Sequence, residues 1–105
     1  MGACVILSTV GNRSAAGRLA KRLVAQRLAA CVTALPGAVS HYRWKGKNET
    51  SREVLLVIKT DRKKWPALKT FLKSNHPYES PEVLMLAVSE GSKEYLSWVS
   101  ACLKK

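Results

Sequence analysis

The chain has 105 residues, with 18 Lys or Arg against 7 Asp or Glu, which leaves a formal charge of +11 and a pI near 10.0. Apolar residues at 47% and charged residues at 24% exclude the disordered, collagen-like and low-complexity classes. A chain of this size is expected to fold as a single domain over residues 1–105, burying roughly 60 to 70% of the surface that its unfolded form exposes.

The charge is unevenly spread. Arg13, Arg18, Lys21, Arg22, Arg27, Arg43, Lys45 and Lys47 all precede the first acid, Glu49. Such a balance makes nucleic acid, an anionic membrane surface or a phosphorylated or carboxylated ligand legitimate partners. The charges are dispersed, however, without the runs that mark a basic tail. Three cysteines, Cys4, Cys31 and Cys102, sit in apolar surroundings. An odd number in such settings argues against a secreted disulfide framework and for a reducing, cytoplasmic compartment. No apolar run approaches the roughly 20 residues of a membrane span, and the start Met1 to Leu7 lacks the charged region and cleavage site of a signal peptide.

In chain order, Cys4 to Val10 is a β-branched-rich run closed by Gly11-Asn12, the pattern of a buried strand and a turn. A helix should follow, capped by Asn12 or Ser14, with Ala16, Leu19, Ala20, Leu23 and Val24 on its packing face and Arg18, Lys21 and Arg22 on the solvated side. From Ala29 to Trp44 the chain reads as extended, interrupted at Pro36-Gly37, where a bend, bulge or exposed edge is expected. Lys45-Gly46-Lys47-Asn48 is a turn, so the following apolar run Val54 to Ile58 should return as the second arm of a hairpin and serve as a central strand.

Lys63 to Asn75 reads as a second helix, with Pro66 in its first turn, Trp65, Leu68, Phe71 and Leu72 on one side, and Pro77 beyond its end. Val83 to Val88 is a fourth strand. A last helix, capped by Ser92, places Tyr95, Trp98, Val99, Cys102 and Leu103 on one stripe that covers a core or a partner. The element order βαββαβ followed by α defines an α+β, ferredoxin-like sandwich with an additional C-terminal helix.

No nucleophile elbow, C-x-x-C, H-E-x-x-H or phosphate loop is present, and the chain is expected not to be an enzyme. The densest polar cluster is His76-Pro77-Tyr78-Glu79-Ser80-Pro81-Glu82, held rigid by its prolines. An imidazole and two carboxylates there could supply ligands for a divalent cation, and His76 and Glu79 are the metal candidates. The plainer reading, which composition alone favours, is a helix end at which His76 complements the dipole and Tyr78 hydrogen-bonds locally. Lys59 extends an apolar strand on the face of Leu55 and Val57, from which it can snorkel outward or enter a cleft. Cys31 reads as a small core residue or a reactive one, and His41 as a surface residue on the opposite strand face from Tyr42 and Trp44.

These segments together resemble the CutA family of divalent cation tolerance proteins. The likeness runs through Leu28 to Val32, Pro36-Gly37, Tyr42-Arg43-Trp44-Lys45-Gly46-Lys47, Glu53 to Thr60, the His76 to Glu82 segment and Tyr95-Leu96-Ser97-Trp98. It implies a ferredoxin-like subunit in a compact homotrimer similar to PII signalling proteins, with Trp44 and the apolar face of the last helix as interface anchors. It also implies clefts between subunits, for which Cys31, Trp44, Lys59, Tyr78 and Glu82 are the candidate residues. Copper-binding relatives use a cysteine and two histidines where this chain has Ser8, Asn75 and His76, so Cu(II) or another divalent cation would be held weakly. A small anionic ligand or an acidic protein partner, in a signalling or anchoring role, is the alternative that the resemblance implies. Nonspecific RNA binding through the basic surface is a weaker third, because the aromatic strand signature of RNA-recognition modules is missing.

Overall fold

The computed structural model describes residues 2–104. Strand β1 (Ala3–Val10) leads into helix α1 (Arg13–Ala25), followed by β2 (Cys31–Trp44) and β3 (Lys47–Asp61). A 3-10 turn (Arg62–Lys64) precedes α2 (Trp65–Asn75), and β4 (Leu84–Ala87) and α3 (Lys93–Cys102) complete the chain. The strands form one antiparallel sheet in the order β2-β3-β1-β4, so β3, which carries the apolar run Val54 to Ile58, is internal as that run requires. This is the ferredoxin-like arrangement.

The core follows from strand alternation. Cys4, Ile6, Ser8 and Val10 of β1 face the same way as Val54, Leu56, Ile58 and Thr60 of β3, and all eight are buried. Register pairs Ile6 with Ile58, and Ser8 with Leu56. Leu19 and Leu23 of α1 and Leu68, Phe71 and Leu72 of α2 cover this face, each burial worth about 1.5–3 kcal/mol for a large side chain.

Asn12 caps α1, its side-chain oxygen accepting from the Ala15 N–H at 2.8 Å, while the Ser14 hydroxyl instead accepts from Arg18 at 2.8 Å. Arg13, Arg18, Lys21 and Arg22 lie on the exposed side, as the periodicity requires. Val24 does not pack: it is 45% exposed, because one residue past Leu23 turns it roughly 100° away from the buried stripe. The helix ends with Arg27 in the left-handed region (φ 58°), where its guanidinium donates to the Cys102 carbonyl at 3.1 Å and ties down the end of α3.

β2 and β3 form a long ribbon, broken by an irregularity in register between Leu35 and Ala38 where Pro36 lacks a donor and Gly37 takes a positive φ of 86°. The expected bend within one strand is therefore present. Fourteen residues of strand span about 46 Å, which accounts for a longest dimension of 44 Å against 25 and 23 Å for the others. A two-residue turn, Lys45-Gly46 with φ of 51° and 82°, closes the tip. Such turns favour Asn, Asp or Gly at the first position, so Lys45 is an unfavoured occupant.

The other side of the sheet is also apolar. Val5 and Leu7 pair with Leu86 and Leu84, Leu55 and Val57 with Leu35 and Thr33, and Lys59 with Cys31. Helix α3 reaches β1 and β3. Its Val99 and Leu103 join Ala30 in a small cluster separate from the main core. Leu35, Leu84 and Leu86 remain about half exposed, as do Tyr95 and Trp98 on α3.

Candidate functional site

The site begins where α2 stops. His76 leaves the helical conformation, its N–H still donating to the Leu72 carbonyl at 2.9 Å, and Pro77 prevents continuation. The imidazole then turns inward and is buried. Its Nδ1 accepts from the Tyr78 N–H at 3.1 Å, so Nε2 carries the proton and donates to the Thr9 carbonyl at 2.8 Å. Burial pushes the His76 pKa below its ordinary value, against the smaller opposing effects of the Thr9 carbonyl and Glu53.

Tyr78 packs on the imidazole, ring centres 4.8 Å apart, and its hydroxyl donates to Glu53 Oε2 at 2.7 Å. Burial, and then the bond to Glu53 and its charge, hold the phenol well above the usual tyrosine range, so it remains a donor. Gly11 makes this approach possible: a Cβ there would come within 3.0 Å of the Tyr78 hydroxyl oxygen. The turn after the first strand, the start of the apolar run in β3 and the segment after α2 are thus tied together by one hydrogen-bonded chain.

In front of this wall lies an open cleft of about 720 Å³, with Tyr42 and Trp44 of the ribbon on one side and Tyr78, Glu79 and Glu82 on the other. Glu53 reaches it from β3 and Thr9 from β1. The Lys45 ammonium lies at its rim, 5.5 Å from the centre of the Trp44 ring and 4.0 Å from Glu79.

Of the residues singled out by sequence, Trp44, Tyr78, Glu79 and Glu82 line the cleft, and His76 stands behind Tyr78. Cys31 and Lys59 are placed elsewhere, as register partners across β2 and β3. Both turn toward Thr33, Lys59 donating to its hydroxyl and Cys31 sulfur lying 3.9 Å from it. Cys31 is half-buried rather than a core residue. His41 is a surface residue bonded to Thr50 at 3.0 Å, but it also lines the cleft alongside Tyr42 and Trp44, because the open ribbon gives the cleft residues from both sides of the strand. Glu53 was not legible as a site residue, since one carboxylate before an apolar run resembles a strand-end charge. The available signal was that Glu53 lies one position before Val54 on the strand and so shares a face with Leu55 rather than with the core.

The residues present do not fit a resident cation within one subunit. Both His76 nitrogens are engaged, whereas a metal needs a free lone pair. Ser8 is fully buried with an unpartnered hydroxyl, and Asn75 bridges Arg22 and the Phe71 carbonyl at 3.0 and 2.9 Å. Among the described residues no three His, Cys, Asp or Glu side chains are grouped to hold a metal ion.

A ferredoxin-like sheet with a long bent ribbon, and a His-Pro-Tyr segment closing a cleft beneath it, defines the class of protein. Residues 4–102 match the family described as CutA1 divalent ion tolerance protein. The chain is 51% identical to the divalent-cation tolerance protein CutA of Pectobacterium atrosepticum over 102 residues, covering 97% of this chain and 93% of that one. Against the protein of the same name from Yersinia pestis it is 46% identical over 101 residues, with 96% and 85% covered. Its structure is similar to CutA from Xylella fastidiosa (TM-score 0.95, 44% identity, 99% and 100% covered) and to CutA1 from Oryza sativa (TM-score 0.95, 39% identity, 100% and 96% covered). The chain belongs to the CutA1 divalent ion tolerance family. Among the described residues no helix is long and apolar enough to cross a membrane.

Proposed function

We propose that this chain acts in divalent-cation tolerance as a non-catalytic, single-domain homotrimer. The observation that carries the assembly is the second face of the sheet, where Leu35, Leu84 and Leu86 are about half exposed on strands β2 and β4 at its two edges. Unpaired edges flanked by apolar side chains invite strand pairing with another chain. A closed ring of identical copies satisfies every edge in the same way and leaves none to aggregate.

Three copies at +11 each would create a strong positive field. With the basic side of α1 outward, that field favours a small anionic ligand or an acidic protein partner over free cations, and RNA would bind without sequence preference. Cu(II) or another divalent cation would be held weakly: Glu79 is exposed, and His76 would first have to give up its bond to Thr9 or Tyr78.

Mass in solution, measured on untagged protein by light scattering, tests the assembly, and a monomer at all concentrations overturns it. Equilibrium dialysis against Cu(II) tests the cation. Retention that falls in His76→Ala would support His76 as a ligand, while equally little retention in both proteins removes it from that role.

A further inference from the structure

We propose that the outer layer formed by α1 and α2 is a docking surface for the phosphodiester backbone of a nucleic-acid duplex, with one phosphate seated between Arg18 and Arg22. The two helices cover the main core, on the opposite side of the sheet from the half-exposed Leu35, Leu84 and Leu86. Duplex docking there deepens the reading of a positive field given above, and rests on that assembly only in keeping the layer outermost.

The first observation is where the charge sits. Residues 11–27 and 62–75, which contain the two helices, hold five basic residues each and none of the seven acids. Ten of the 18 cations therefore occupy one layer, and all but Lys64 are exposed. Among the described residues none of the ten has an acidic partner, since the one ion pair is Lys45 with Glu79. Cations crowded without counter-charges repel one another, and a polyanion relieves that repulsion.

The second observation is a seat already built between the helices. Arg22 donates to Asn75 Oδ1 at 3.0 Å, its guanidinium 4.9 Å from the centre of the Phe71 ring. One turn earlier, Arg18 donates to the Ser14 hydroxyl at 2.8 Å. Both guanidiniums border a groove of about 100 Å³ floored by Ala15 and Leu19. Each keeps further N–H donors for a phosphate, and the planar fork suits that group. Free small-molecule ligands ordinarily need about 300–1,000 Å³, so the groove admits one group of a larger anion rather than a whole metabolite.

The third observation selects the polyanion. Among the exposed large apolar side chains, Val24 alone lies on these helices. A protein partner needs a desolvated apolar or aromatic anchor, and a membrane-surface helix needs an apolar face to insert, whereas here that face is spent on the core. A single strand would need exposed rings for its bases to stack on, but Trp65 is half-buried with the Lys69 ammonium 5.4 Å from its ring centre. A duplex backbone needs charge alone. The 13 residues of α1 run for about 20 Å, a length over which a duplex presents about twelve phosphates.

Fluorescence anisotropy of a labelled DNA duplex of about 20 base pairs, titrated with the whole chain between about 50 and 200 mM NaCl, tests this. Affinity should fall about 40-fold or more over that range, the loss expected when three or more phosphates are neutralised. Arg18→Gln with Lys21→Gln should weaken binding about ten-fold and flatten the salt slope by about two. Lys93→Gln with Lys104→Gln removes the same charge away from the layer and should cost less than about two-fold. Arg22→Lys keeps the charge but not the fork, and should weaken binding about three-fold. Absence of saturable binding, an equal loss in both double variants, or tighter binding to a single strand, to polyglutamate or to phosphatidylserine vesicles would each overturn the proposal. Light scattering separates this from the assembly: a monomeric wild type that still binds through Arg18 and Lys21 would overturn the trimer and support the duplex surface.

Discussion

The two faces of the sheet are made by alternate residues of the same strands, and both are apolar, yet the chain covers one of them fully and the other only in part, through α3. Ile6, Leu56 and Ile58 are fully buried beneath α1 and α2. Their neighbours Leu7, Leu55 and Val57 sit on the side where Leu35, Leu84 and Leu86 stay about half exposed. An antiparallel sheet with a solvated side ordinarily alternates apolar with polar. Here the alternation is apolar with apolar, and α3 covers the second face only in part, which is what the proposed homotrimer would complete.

The largest effect expected on this comparison is Leu56→Ala, which should lower stability in urea denaturation by about 2–5 kcal/mol, independent of protein concentration. A matching loss from Leu84→Ala that shrinks on dilution would show that the open face is stabilised by other copies. The same loss at every concentration would mean that the two faces are equivalent after all.

Next is acidification. The folded His76 pKa lies below its unfolded value, so between the two the unfolded chain binds the extra proton, and stability falls as pH drops through and below the ordinary histidine range. Melting temperatures taken from neutral pH down to about pH 5, still above the usual carboxylate range, should decline, and the decline should flatten in His76→Gln. An unchanged slope would remove His76 from that role.

Smaller again is Ser8→Ala, which removes the one buried hydroxyl found without a partner among the described residues and should raise stability by about 1 kcal/mol. A loss would mean that water or a moving neighbour satisfies Ser8 in solution. The smallest effect belongs to the open face: Leu86→Ser, measured at concentrations where the chain is dispersed, should change subunit stability by no more than about 0.5 kcal/mol. A larger change would show that this face supports the subunit on its own.

Much of this was legible without coordinates. The ribbon could be read from Pro36-Gly37 and Lys45-Gly46, because a missing donor and positive-φ turn positions act locally. Trp44, Tyr78, Glu79 and Glu82 could be singled out because they lie in two dense motifs. Their meeting in one cleft could not, since it depends on the ribbon folding back over the end of α2. Glu53 and Gly11 escaped for the same reason. A carboxylate and a glycine acquire meaning only when Tyr78, from a third segment, arrives between them. Val24 shows the converse limit, as periodicity fixes a stripe but not its width.

The element order, the basic outer side of α1 and the rigid turn after α2 could all be read from residue order, because each rests on spacing and side-chain chemistry within a few residues. That a chain of charge +11 gathers three of its seven acids around aromatic rings, one of them nearly buried and bonded to Tyr78, follows only from the way three distant segments meet. Net charge is a sum over the chain, whereas a binding site is set by which side chains the fold brings within a few ångströms, where Coulomb interactions are strongest and least screened.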